Sequence, residues 1–192
     1  MNRRNLAWRI ELPAWLAGFC ERLPERLPTP AERMEVAVSL SRQNLIEGSG
    51  GPFGALVVER DSGRVVSAGV NRVEPSCCSS AHAEIVALSL AQQKLGCWNL
   101  AEAGIGPVEL VTSCEPCAMC LGAIPWSGVG SVVCGASKAD AEAAGFDEGD
   151  RFDDWVARLN ARGIDVTTGV LREKAAAILD RYARSGQTIY SP

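Results

Sequence analysis

One histidine and one Cys-x-x-Cys pair constrain this chain more than any other feature of its 192 residues. His82 is the sole histidine, and it stands at the head of an apolar helical pattern that runs from Ala81 to Leu95. Cys117 and Cys120 are one helical turn apart at the head of a second pattern, Cys117 to Ile124, with Pro116 placed to start it. Between the two lies a short apolar strand, Glu109 to Thr112. If the imidazole is to meet the two sulfurs, two helix N-termini must converge on one point.

The rest of the chain reads as alternating strands and helices. Thr29-Pro30-Ala31-Glu32 carries the marks of a helix start: Thr29 as N-cap, proline at the first helical position, and Glu32 to complete a capping box. Its helix, with Met34, Val38 and Leu45 at helical spacing, should end near Gly48. Ala55 to Glu59 and Val65 to Val70 form a hairpin about Asp61-Ser62-Gly63, leaving Asn71 at its far end. Val129 to Cys134 is a buried strand by its valine content. A loop through Gly145-Phe146-Asp147-Glu148-Gly149 follows, then a helix over 152–162, a strand over 164–170 and a helix over 171–184. This alternation predicts an α/β fold, a three-layer α/β/α sandwich about a central mixed five-stranded sheet. Residues 29–192 form the single domain. Residues 1–28, broken by Pro24 and Pro28, form an N-terminal arm that packs Trp8, Trp15 and Phe19 onto the body or onto a partner.

Composition narrows the function classes. The formal net charge of -4 argues against a polyanionic partner, because nucleic-acid binding draws on excess lysine and arginine. Eight cysteines invite a disulfide framework, yet the chain is not small and two of the eight sit in Cys-x-x-Cys spacing behind a proline. Most of the others are expected to be small buried apolar residues. No run reaches transmembrane length, and Arg9, Glu11 and Pro13 interrupt any secretory apolar region. A soluble cytoplasmic protein with no membrane partner is the expectation.

Imidazole nitrogen and thiolate sulfur are the ligands zinc prefers. His82, Cys117 and Cys120 supply three of them, and the positive ends of the two helices favour thiolate. Three protein ligands leave a fourth position open for water, whose pKa the metal lowers. Glu84, two residues past His82, is placed to take that water's proton and pass it on. Taken singly, a histidine is usually a core or surface residue, and a Cys-x-x-Cys is often structural zinc or a redox pair. A structural site would need a fourth protein ligand and would have no use for Glu84.

These residues carry the H-x-E…P-C-x-x-C signature of the zinc-dependent nucleobase deaminases, and the chain resembles the cytidine deaminase superfamily. Within it the chain is most similar to bacterial guanine deaminases. The matching pieces are Gly51-Pro52-Phe53-Gly54-Ala55, Asn71, His82-Ala83-Glu84, Thr112 through Ala123, Trp126, and Ala143-Ala144-Gly145-Phe146-Asp147-Glu148. The resemblance implies a cytidine deaminase-like fold and hydrolysis of guanine to xanthine and ammonia, with aminotriazines such as ammeline as a side activity. It implies that Glu84 shuttles protons, and that Glu148 touches the base and helps protonate the departing amine. It implies further that Asn71 hydrogen-bonds the base, Phe53 packs on it and the Ala83 amide anchors it. Trp126 either lines the pocket or is a core aromatic. A homodimer that exchanges C-terminal segments is implied too, with Tyr190 reaching the neighbouring site. An ionised Glu148 suits guanine, whose ring N–H and amine are adjacent donors. The alternatives are a tRNA adenosine or cytosine deaminase of the same superfamily, and a zinc-stabilised binding module without catalysis.

Overall fold

A computed structural model describes residues 9–189. Five strands form one sheet in the order β2-β1-β3-β4-β5. β1 (Gly54–Glu59) pairs antiparallel with β2 (Val65–Val70) and with β3 (Val108–Cys114). β3, β4 (Ser131–Ala136) and β5 (Asp165–Thr167) run parallel. The sheet is therefore mixed and five-stranded, as the alternation predicts.

Strand residues alternate between two apolar layers. Leu56 and Val58 face one cluster, Ala55 and Val57 the other, as the twofold period of a strand demands. The first layer holds α1 (Ala14–Glu21), α2 (Pro30–Ile46) and α8 (Arg172–Ala183), through Leu16, Met34, Leu40 and Tyr182. Ala141 of α6 (Lys138–Ala143) joins them. The second holds α4 (Ala83–Leu95), α5 (Ala118–Ser127) and α7 (Trp155–Asn160), through Leu88, Ile124 and Trp155. A four-residue helix, α3 (Val73–Ser76), follows β2.

α2 starts as its sequence dictates. Thr29 Oγ1 accepts from the Glu32 N–H at 3.2 Å, and Glu32 Oε2 accepts from the Thr29 N–H at 2.8 Å. The arm is no loose appendage over its described part. Leu16 and Leu27 are core residues, and Trp15 and Phe19 pack against them with their rings edge to face at 5.9 Å. Trp8 lies outside the described residues.

Two short helices depart from the expected loops. α6 forms because Ser137 and Asp140 make a second capping box. α3 occupies the stretch after Asn71, where Pro75 obscures the pattern. β5 is shorter than the expected 164–170, since the chain turns at Gly169 with φ of 74°. No helix among the described residues is long and apolar enough to cross a membrane.

Candidate active site

His82 is the N-cap of α4 and Cys117 the N-cap of α5, so two helix N-termini do meet. His82 Nδ1 lies 3.5 Å from Cys117 Sγ and 3.6 Å from Cys120 Sγ. All three donor atoms fall within 4.8 Å of one another. A tetrahedral zinc, with bonds of about 2.3 Å to sulfur and about 2.05 Å to nitrogen, sets its nitrogen and sulfur ligands about 3.6 Å apart. The spacing is that of ligands around an ion, and it identifies Nδ1 as the ligating nitrogen. Among the described residues no fourth histidine, cysteine or carboxylate completes the cluster.

The electrostatics of the triad favour a thiolate among its ligands. Cys117 is drawn down to about 4, chiefly by the hydrogen bond from Cys120, with burial opposing and His82 assisting. Cys120 is raised well above the ordinary thiol value by that same bond and by burial. The bond between the two sulfurs thus favours thiolate at Cys117 and keeps the proton on Cys120. Burial opposes charge on His82, but its bond to Cys117 and the charges of Glu84, Cys117 and Glu148 outweigh it and raise its pKa.

Two carboxyls share this cleft. Glu84, in the first turn of α4, is 6% exposed and raised by burial and by the Cys117 charge, while His82 and a bond to Cys120 pull it back. Glu148, also buried, is pushed up to about 8, first by burial, then by the charges of Cys117 and Glu84. A zinc ion's positive charge would counter the thiolate part of both shifts. Arg151 braces the loop between β3 and α5: it donates to Glu115 Oε2 at 2.8 Å and to the Pro116 carbonyl at 3.2 Å. The Lys138 N–H shares Glu115 Oε2.

A cleft opens beside the triad. Gly51, Phe53, Asn71, Ala83, Glu84, His82, Cys117 and Glu148 line it. Phe53 meets Phe146 edge to face at 4.9 Å, and Phe146 leans on Tyr182 at 5.7 Å, so an aromatic wall faces the triad. Asn71 Oδ1 accepts from the Gly51 and Val73 N–H groups, at 3.4 and 3.2 Å. Its Nδ2 has no acceptor among the described residues, which leaves a donor for a ligand. Ala83 is the first residue of α4, and helix geometry leaves its N–H without an intrahelical partner.

Residues 29–136 match the family model described as the cytidine and deoxycytidylate deaminase zinc-binding region. The chain belongs to this deaminase family. Zinc is its cofactor, and the triad's spacing fits that ion. A guanine deaminase of Bacillus subtilis (strain 168) is 42% identical over 112 residues, covering 58% of this chain and 67% of that protein. A solved guanine deaminase from Nitrosomonas europaea is 51% identical with a TM-score of 0.88, covering 95% of this chain and 98% of that one. A further structure, of a protein in complex with 8-azaguanine, is 52% identical with a TM-score of 0.88, covering 94% of this chain and 98% of the other.

Not every residue the sequence nominates stands at the cleft. Trp126 is 79% exposed on the outer side of α5 and belongs to neither the cleft nor the core, a correction to both expectations. It faces a surface groove with Phe152 and Arg158. Tyr190 lies outside the described residues. The tail before it packs on its own chain: Tyr182 Oη donates to the Thr188 carbonyl at 2.6 Å, and Thr188 lines the cleft mouth beside Glu74. Phe146 and Tyr182 escaped residue-by-residue reading. Tyr182 carries no local signal, since only the packing of α8 brings it there.

Proposed function

We propose that this deaminase hydrolyses guanine to xanthine and ammonia, with His82, Cys117 and Cys120 holding the zinc. Zinc at that triad supplies a Lewis acid that makes water nucleophilic near neutral pH. Glu84 takes the proton of the attacking water and returns it to the base, and the departing amine leaves as ammonia. Glu148, when ionised, accepts from the ring N–H and the amine together. Its raised pKa also lets it carry a proton near neutral pH and give it to the leaving group. Asn71 Nδ2 donates to an acceptor on the base, the Ala83 N–H anchors its other edge, and Phe53 packs on its face.

One observation carries this reading. Two buried carboxyls from distant parts of the chain, Glu84 and Glu148, share one cleft with the triad and a lone amide donor. A tRNA adenosine deaminase would need a basic groove for its polyanion, and the net charge of -4 offers poor support for one. Adenine and cytosine also present an unprotonated ring nitrogen where an ionised Glu148 needs a donor. The test is an ultraviolet assay of the zinc-loaded protein on guanine, ammeline, adenine and cytosine. Turnover of guanine is expected, and turnover of adenine or cytosine without guanine overturns the substrate.

A homodimer and a cytoplasmic location complete the proposal. Trp126 and Phe152, 79% and 59% exposed, flank one groove between α5 and α7 and offer an apolar face to a second copy. Cys117 and Cys120 stand as thiol ligands of the metal site and not as a disulfide, which suits a reducing compartment. Sedimentation of W126E should show a monomer where the unaltered protein shows a dimer.

A further inference from the structure

The N-terminal arm has no part in the chemistry, yet it reaches the substrate face of the cleft through polar contacts. Trp15 Nε1 donates to Ser49 Oγ at 3.0 Å. Ser49 Oγ donates in turn to Asn44 Oδ1 at 2.7 Å. Asn44 is wholly buried, and its Nδ2 donates to the carbonyls of Gly51 and Asn71, at 2.7 and 3.0 Å. Each link fixes the orientation of the next: because Asn44 Oδ1 accepts from Ser49, its Nδ2 must face the two carbonyls.

A second tether runs beside the first. The Arg72 guanidinium is buried and donates to the Ser49 carbonyl and, at 2.9 Å, to the Glu11 carbonyl. The Arg72 N–H bonds to the Ala81 carbonyl, next to His82. Burial lowers the arginine's pKa, the Glu11 charge opposing it, and the two carbonyls supply the guanidinium's hydrogen bonds. The loop so gripped has little slack. Gly50 has φ of 143°, and a Cβ there would lie 2.1 Å from the Asn71 carbonyl oxygen.

We propose that the N-terminal arm positions the base-binding side of the cleft, with Trp15 and Ser49 acting through Asn44 to set Asn71 and the Gly51–Phe53 turn. Trp15 and Ser49 are positioning residues, since neither lines the cleft. The proposal rests on the deaminase reading of that cleft. It concerns how a base is held, so it predicts an effect on KM where a purely structural arm would affect only stability.

The experiment compares S49A, S49T, W15F, the double variant S49A/W15F and F19L, all zinc-loaded, by steady-state kinetics and thermal melting. S49A should raise KM for guanine about fivefold, the worth of one hydrogen bond, with kcat nearly unchanged. S49T keeps the hydroxyl and should keep the KM. W15F retains the ring against Phe19 but loses the N–H, and should raise KM less. Adding it to S49A should raise KM no further, because Trp15 acts through Ser49. F19L is the control: it should lower the melting temperature and leave KM alone. S49A and W15F with unaltered KM, whatever their melting temperatures, overturn the proposal. If the protein turns over another base in place of guanine, the substrate reading fails, and the same KM comparison made with that base still decides this one.

Discussion

The Ala118 N–H donates to the Glu148 carbonyl at 2.9 Å, clamping the acidic loop to the first turn of the helix that carries Cys120. The position of the second carboxyl is thereby tied to the metal centre by main chain alone. E148Q should leave fold and zinc content unchanged while lowering kcat about a hundredfold or more, the usual worth of a positioned proton carrier. The amide can neither accept both donors of the guanine edge nor carry a proton. E148D should recover part of the rate, since it restores the chemistry at a shorter reach. Steady-state kinetics with metal analysis checks both.

Removing zinc should abolish turnover and lower the melting temperature, because the ion joins the starts of α4 and α5. Zinc added back should restore both. Affinity should also weaken as the solution is acidified. His82 must be neutral to ligate, and its pKa lies above the ordinary imidazole value, so protonation competes with metal from near neutrality downward. Zinc titrations at a series of pH values read this directly. An affinity that is flat from pH 8 to pH 6 would contradict it.

The metal ligands and Glu84 were legible because their spacing is local: one turn within α5, two residues at the head of α4. The Thr29–Glu32 cap was legible for the same reason. Trp126 was not, because α5 is apolar around most of its circumference and offers no period from which to tell a buried face. α6 was missed although Ser137-x-x-Asp140 spells a capping box, since six residues are too few to show a helical period. The pocket wall of Phe146 and Tyr182 depends on how α8 packs. Arg72 works through main-chain carbonyls, which leave no mark in a sequence, and Ser49 through a hydroxyl set between Trp15 and Asn44 by the fold.

Asp140 joins two elements: it caps α6 through Ser137 and pairs with Arg172 of α8, Oδ2 to Nε at 2.8 Å. The bond from Arg172 is the main reason its pKa is depressed. A depressed carboxyl adds stability that is complete above its unfolded pKa, about 3.9, and is lost as pH falls from there through the folded value. D140N should therefore cost about 1 kcal/mol near neutrality, where a cap and a half-exposed pair both weaken. The difference from the unaltered protein should shrink below pH 4. Urea unfolding at pH 7 and pH 3 measures both, and an equal difference at the two values rules out the charge as its source.

Arg33 and Glu109 form a pair 3% and 4% exposed at the opposite end of β3 from Cys114. Arg33 donates to Glu109 at 2.7 Å and also to the carbonyls of Leu27, Pro28 and Arg60. Ser131 Oγ donates to the other Glu109 oxygen at 3.0 Å. E109A strands a buried cation and should cost about 3–5 kcal/mol. Replacing both charges often recovers such a loss, but here it should not. R33M/E109L would leave the three carbonyls without their donor, each at about 1–3 kcal/mol if no water reaches it. The double variant should therefore stay well below the unaltered protein in urea unfolding while retaining its zinc. Recovery of full stability would show that those carbonyls find other partners.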